Sequence, residues 1–404
     1  MINSKRLLSH LAELSAIGKN TETGGITRFS YTDEEQEAVD LVTEYMKQAG
    51  LTVEIDEVGN VVGSTSGTGP FVVVGSHIDT VPEGGMFDGT LGVLAAIEIA
   101  QTLHEQQVEQ TKPLKVVAFK DEEGSRFGFG MIGSRAMAGT LKESDLNVLD
   151  SNGISIAQAM QKRGFNPKTI ADAKREDMDV YVEMHIEQGK VLEKANLPIG
   201  IVSGIAGPLW LEVTLEGVSE HAGATPMDIR KDALAGASEC MIEIEALMQS
   251  ESTAVATVGK LNVYPNGTNV IPGKVVFTID IRDIDEVHRN GLEKQILSVI
   301  QQVSQKRGLE WTIRELQRVK PVKADPALQQ LLSEKVKEAG LNPLKLISGA
   351  GHDAMQFGNH CPFIMLFVRS KDGISHNPLE YSSGEDIAIA TEIFYKFVYD
   401  LVRK

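Results

Sequence analysis

Apolar runs in the first half of the chain are short and unbroken, and amphipathic or polar stretches separate them. Residues 72–74 in "FVVVGSH" and 116–119 in "KVVAFKDEEGSRFG" are of this kind. Such runs predict strands buried on both faces of a parallel or mixed sheet. Strand-like segments are expected around 52–62, 71–75, 114–120 and 180–186, with a largely apolar helix over about 90–104. Thr32 followed by Glu35 is a capping-box pattern, and it opens a helix whose apolar face is Ala38, Val42, Tyr45, Met46 and Ala49, ended by Gly50. Strands alternating with helices indicate a layered α/β sheet.

The rhythm changes near Gly207. Segments 209–215, 231–248, 254–264, 274–282, 286–305 and 311–316 read as strand, helix, strand, strand, helix, strand. A β-α-β-β-α-β order builds a small sheet with both helices on one face. The earlier pattern then resumes with a helix near 327–339, a strand over 362–368 and a closing amphipathic helix with Phe394, Phe397 and Leu401. The fold expected is therefore α/β: a mixed-sheet α/β/α domain made of residues 1–206 and 320–404, interrupted by an inserted domain over 207–319. Two domains also suit 404 residues, which exceed what one hydrophobic core usually organises.

A formal net charge of −17 argues against nucleic acid or an anionic membrane as partner, since both need a basic face. An anionic small molecule remains compatible, because it meets a local field. Cys240 and Cys361 lack metal-type spacing and read as buried thiols in a reducing compartment. The start, MINSKRLLSHLAEL, has no long apolar segment of a secretory signal, and no later stretch is apolar enough to span a bilayer. A cytoplasmic protein is expected.

Polar residues stand where the strands are expected to end, the place where open α/β sheets present their sites. Asp121, Glu122 and Glu123 follow one strand. "VVVGSHIDTVPEGGMFDGTLG" presents His77 and Asp79 on one side of its extended chain, then Asp88 in a turn with Gly84, Gly85 and Gly89. "VEMHIEQG" carries His185, and "GISHNPLEYS" carries His376. Each alone has an ordinary explanation: a solvated charge run, a hydrogen-bonded histidine, a glycine turn. Together, His77, Asp88, Glu123, His185 and His376 have the makeup of a site for two divalent cations, with one carboxylate available to bridge. Zinc comes first, and manganese, cobalt and nickel suit the same donors. Two adjacent glutamates allow two roles: Glu123 as ligand, and Glu122 as the base that takes a proton from the attacking water. Asp79 is expected to accept the N–H of His77 and fix its tautomer. His10, His104, His288 and His360 show no acidic companions in sequence and are read as surface or core residues.

The stretches "GSHIDTVPEGGMFDGTLG", "FKDEEGSRFGFGMIGSRAMAG", "HIEQGKVLE", "GVSEHAGATPMDIRKDAL", "NVIPG" and "SGAGHDAM" resemble, nearly end to end and in order, the N-carbamoyl-L-amino-acid hydrolases and allantoate amidohydrolases. These form a branch of the dinuclear metallopeptidase superfamily that includes aminoacylases and carboxypeptidase G. The resemblance implies that the inserted domain is a lid through which two subunits form a homodimer. It implies that His77 and His185 bind one metal, Glu123 and His376 the other, with Asp88 bridging and Glu122 as general base. It further implies that His221 and Asn269 steady the carbonyl oxygen, reaching into the neighbouring subunit's site, that Arg282 grips the substrate carboxylate, and that Gln188 and His352 add substrate contacts. The superfamily's peptidases usually carry an acid at the position of His185, and the E-Q-G that follows favours hydrolysis of a ureido group on a small carboxylic acid. N-carbamoyl-L-amino acids are the expected substrates, with allantoate the alternative. A non-catalytic metal- or ligand-binding protein on the same scaffold is the reading from another class.

Overall fold

The unbroken apolar runs become the middle of a mixed sheet. The structure is a computed structural model that describes residues 1–403. Its first elements are α1 (Ser4–Ala16), α2 (Asp33–Gln48), β1 (Thr52–Ile55), β2 (Val61–Ser64), β3 (Phe71–His77), α3 (Thr90–Glu105) and β4 (Leu114–Phe119). Next come α4 (Ile132–Met137), α5 (Ile156–Lys162), β5 (Met178–Ile186), α6 (Val191–Ala195) and β6 (Ile199–Ile205). The middle of the chain forms β7 (Gly207–Glu216), α7 (Ala233–Met248), β8 (Val255–Tyr264), β9 (Lys274–Asp283), α8 (Glu286–Arg307) and β10 (Glu310–Arg318). The remainder is β11 (Val322–Lys323), α9 (Pro326–Glu338), β12 (Lys345–Ser348), α10 (Ala354–Phe357), β13 (Phe363–Val368) and α11 (Gly384–Arg403). The chain packs as two units, one of Met1–Ser203 with the segment from Ala324 onward, the other Gly204–Lys323.

The larger sheet has the order β1-β2-β4-β3-β5-β13-β6-β11, with β12 also on β6. β4, β3, β5 and β13 are mutually parallel, while β1, β2 and β6 join antiparallel. Every residue of β3, β4 and β13 is buried, as the absence of alternation in their sequences requires. Register places His77 opposite Phe119 and His185 opposite Phe367. The carboxyl ends of the four parallel strands thus fall at one edge of the sheet.

Two local expectations are corrected. The segment over 52–62 is a hairpin rather than one strand, because Asp56 Oδ1 accepts the amides of Val58, Gly59 and Asn60 at 3.1, 3.0 and 2.9 Å and turns the chain. At the start of α2, Thr32 Oγ1 accepts the Glu35 amide at 3.3 Å, but the Glu35 carboxylate returns to the Tyr31 amide at 2.5 Å and pairs with Lys120 at 2.8 Å. Half of the capping box forms, and the other half is diverted by a buried lysine.

The second unit is an antiparallel sheet ordered β10-β7-β9-β8. Leu209, Leu211, Val213 and Leu215 of β7 alternate with more exposed residues, as do Val275, Phe277, Ile279 and Ile281 of β9. These eight form one core with Ala237, Cys240 and Ile244 of α7 and Ile296, Ile300 and Val303 of α8. Because the strand residues share a period-two face, both helices lie on one side of the sheet. His288 here corrects the expectation of no acidic companion: Nδ1 lies 2.5 Å from Asp283 and Nε2 3.2 Å from Glu251, neither of which is its neighbour in sequence. No described helix is long and apolar enough to cross a membrane.

Candidate metal centre

Each of the four parallel strands releases a polar segment at the shared edge. β3 ends on His77 and leads to Asp79 and the Asp88 turn; β4 leads to Glu122 and Glu123; β5 carries His185 and leads to Gln188; the loop beyond β13 carries His376. Asp88 stands among them. Its Oδ1 lies 3.1 Å from His185 Nε2 and 3.7 Å from His77 Nε2. Its Oδ2 lies 3.2 Å from His376 Nε2, which is 3.6 Å from Glu123 Oε1. The result is two trios of donors sharing one carboxylate, one oxygen to each, with the atoms of each trio within 4.8 Å of one another.

These distances fit cations. Tetrahedral coordination with bonds of about 2.0–2.1 Å has ligand-to-ligand edges of about 3.3–3.4 Å. The histidine tautomers fit as well. His77 Nδ1 faces the backbone oxygen of Asp79 at 3.1 Å and His185 Nδ1 that of Ile186 at 2.9 Å, so each Nδ1 carries the hydrogen and each Nε2 presents a lone pair. The Gly89 amide, which donates to His185 Nε2 at 3.2 Å, agrees with that assignment.

Asp79 therefore departs from expectation in which of its atoms acts. The bond to His77 comes from its backbone oxygen, while its carboxylate is 3.6 Å from Nδ1. The carboxylate oxygens instead accept the amides of Glu122 and Glu123, each at 3.1 Å. One buried acid thus holds the two glutamates in place after β4. Glu122, only 8 % exposed, directs Oε2 to within 3.8 Å of His77 Nε2, whereas Glu123 faces His376.

Gly89 shows why this turn needs glycine. Its φ is +63°, and a Cβ built there would fall inside the van der Waals surface of the His77 ring. Gly89→Ala is expected to destabilise the fold by about 1–3 kcal/mol through overpacking and to loosen the His77–His185 trio. Thermal melting and metal content check this; no change in either would contradict the packing described.

Burial pushes the Glu122 carboxyl well above the ordinary carboxylic range, against the pull of His77. Burial and then Asp88 raise Glu123 to about 7. Burial acts downward on His77, yet Glu122, Asp79 and Asp88 outweigh it and hold the ring well above the usual imidazole value. The bond to Asp88 raises His376 to about 9. Against its burial, bonds to His185 and His376 hold Asp88 well below the ordinary carboxylic range. An ionised shared carboxylate thus stands beside two glutamates that keep protons and imidazoles that gain them, a place where bound cations can replace protons. Backbone strain collects here too: Asp121, Gln188 and His376 have φ of 55°, 55° and 54°. Such conformations cost about 1–3 kcal/mol each and persist only where surroundings enforce them.

Gln188 and His352, expected as further substrate contacts, both lie beside the trios. Gln188 Nε2 donates to Asp88 Oδ2 at 2.8 Å and to Ser375 at 3.3 Å, so this side chain steadies the shared carboxylate, and its buried Oε1 has no hydrogen-bond partner. His352 is enclosed, 2 % exposed, with its ring 4.4 Å from that of His185 and its Nε2 2.9 Å from Ser348 Oγ. It backs His185 rather than opening toward a ligand.

In the second unit, His221 Nδ1 accepts the amides of Gly223 and Ala224 at 3.1 and 3.2 Å, which leaves hydrogen on an outward Nε2. The Asn269 carbonyl accepts the Ala222 amide at 2.9 Å, and His221 bridges to Val270, so His221 and Asn269 belong to adjoining exposed loops. Arg282, on β9, turns its guanidinium onto Asp280 through bonds of 2.8–3.1 Å.

Glu183, Ser375 and Glu380 escaped the sequence reading. Glu183 is wholly buried on β5 and accepts from Ser76 at 2.9 Å and Tyr181 at 3.1 Å. An acid between Val182 and Met184 in the middle of β5 was the available sign. Ser375 and Glu380 lie with His376 in GISHNPLEYS, where the histidine is the residue that reads as a ligand.

Comparison with known proteins adds to this geometry. The model of peptidase family M20/M25/M40 matches residues 73–400. The chain is 47 % identical to the N-carbamoyl-L-amino acid amidohydrolase of Geobacillus stearothermophilus, with 100 % of both chains covered. It is 40 % identical to the allantoate amidohydrolase of Bacillus subtilis (strain 168), over 93 % of each. Among solved structures, a hydantoinase/carbamoylase family amidase from Burkholderia multivorans superimposes with a TM-score of 0.94 at 35 % identity, covering 100 % of this chain and 98 % of the other.

Proposed function

This chain belongs to the peptidase family M20/M25/M40, and from that premise we propose that it hydrolyses the ureido group of N-carbamoyl-L-amino acids. One water is consumed, and the products are the amino acid, carbon dioxide and ammonia. The observation that carries the reading is the pair of donor trios on the two oxygens of Asp88, with Glu122 buried beside them and outside both.

We assign His77, His185 and Asp88 Oδ1 to one divalent cation, and Glu123, His376 and Asp88 Oδ2 to the other, with zinc preferred for a site of imidazoles and carboxylates. Two bound cations supply electrophilic pull on the ureido oxygen and acidity to the attacking water. Glu122 takes the proton of that water and returns it to the departing nitrogen. The Nε2–H of His221 is a donor suited to the negative charge that develops on the carbonyl oxygen in the neighbouring subunit's site, and Asn269 adds an amide donor from the adjoining loop. Arg282 takes the substrate carboxylate as a fork, exchanging its contact with Asp280 for the ligand. Gln188 acts through Asp88, and its unpartnered Oε1 offers an acceptor to a ureido N–H.

Assembly as a homodimer through the second unit is supported by β8, an edge strand with Val255, Leu261 and Tyr264 exposed. A reducing, cytoplasmic setting suits Cys240 and Cys361, both buried and unpaired. Allantoate is the second reading, since it presents the same ureido carbonyl and carboxylate and a relative at 40 % identity carries its name.

The test is ammonia release from N-carbamoyl-L-methionine and from allantoate, side by side, with metal-reconstituted protein. The carbamoyl amino acid should give the larger kcat/KM. Faster turnover of allantoate would reverse the order of the two readings, and no turnover of either would refute both.

A further inference from the structure

Asp88 can serve two trios only if the loop that carries it is held in register with the loop that carries His376. Glu380 makes that connection. A turn returns the chain after His376, closed by the Glu380 amide donating to the Asn377 carbonyl at 3.0 Å. The Glu380 side chain, 5 % exposed, then crosses to the other loop, where Oε1 accepts the amides of Phe87 at 2.9 Å and Asp88 at 3.1 Å. Its Oε2 accepts from Ser375 Oγ at 2.7 Å, and the same hydroxyl lies 3.0 Å from Asp88 Oδ2, the oxygen that faces His376. One carboxylate therefore touches the backbone of the shared ligand and, through a serine, its carboxylate. Gly85 leaves the room for this: a Cβ there would overlap the Glu380 side chain from its Cβ to its carboxylate.

We propose that Glu380 is a positioning residue for the second donor trio: by tying the Asp88 loop to the His376 loop it sets the distance between Asp88 Oδ2 and the His376 ring. The inference rests on the two-cation reading above. What matters is reach and hydrogen bonding. An amide of the same length keeps an oxygen for the two backbone N–H groups, and its NH₂ can donate to Ser375, whose own hydrogen then goes to Asp88. A shorter carboxylate keeps the charge and loses the reach.

The test compares wild-type protein with Glu380→Gln, Glu380→Asp and Glu380→Ala, each titrated with cobalt(II) and followed by visible absorption, with circular dichroism and melting to confirm folding. Glu380→Gln should match the wild type in affinity and spectrum. Glu380→Asp and Glu380→Ala should bind the first cobalt normally, hold the second about 10–100-fold more weakly, and change its absorption band. Folded Glu380→Asp and Glu380→Ala proteins with wild-type affinity and spectrum would overturn the proposal, as would a Glu380→Gln protein as impaired as Glu380→Ala. If Glu380→Ala does not fold, the other two decide, and equal behaviour of these overturns it. A wild-type protein that takes up no second cobalt would instead refute the two-cation reading itself.

Discussion

Glu122→Gln should leave both cations bound and lower kcat by about 10²–10⁴-fold, with KM little changed. Glu122 belongs to neither trio around Asp88: its nearest approach to a trio atom that the geometry gives is 3.8 Å, to His77 Nε2. The replacement is equal in size, so the packing of a side chain that is only 8 % exposed is kept. The ability to accept a proton is lost, and with it the route from the attacking water to the departing nitrogen. Steady-state kinetics with elemental analysis separates the possibilities. Full turnover would remove Glu122 from the reaction, and loss of metal would make it a ligand.

Asp88→Ala is expected to abolish turnover and to reduce bound metal from two cations to at most one. Asp88 is the residue common to the two trios. Removing it takes away Oδ1, which faces His77 and His185, and Oδ2, which faces His376. It also strands the hydrogen bonds of Gln188 and Ser375 at 2.8 and 3.0 Å. His376→Ala makes the informative comparison, since it should cost the second cation and spare the first. An Asp88→Ala protein that still holds two cations would show that the trios do not depend on a shared carboxylate.

The parts of the site that sequence exposes are those tied to where strands end. His77, Glu122, Glu123 and His185 stand at or just past the carboxyl ends of largely apolar strands, where open α/β sheets present their sites, and the structure gathers them with Asp88 and His376. Sequence does not say which atom of a residue acts. Asp79 was visible as a partner of His77, yet its carboxylate serves the amides of Glu122 and Glu123, because that choice depends on how the β4 loop returns. Gln188 and His352 sit in motifs that resemblance ties to substrate, and sequence does not show that the Gln188 amide also bonds Asp88 or that the His352 ring bonds Ser348. Glu380 was invisible because nothing local distinguishes an acid that folds back across a turn from one in solvent. At the level of the fold, the hairpin at Asp56 was missed for a similar reason: three amides converging on one carboxylate outweigh the extended preference of the residues around them.

The most direct measurement is an anomalous-difference map from a crystal grown with zinc and recorded at the zinc absorption edge. Two peaks should flank Asp88, one bonded to His77 and His185, the other to Glu123 and His376. A single peak, or peaks that leave Asp88 on one cation alone, would contradict the shared-carboxylate site.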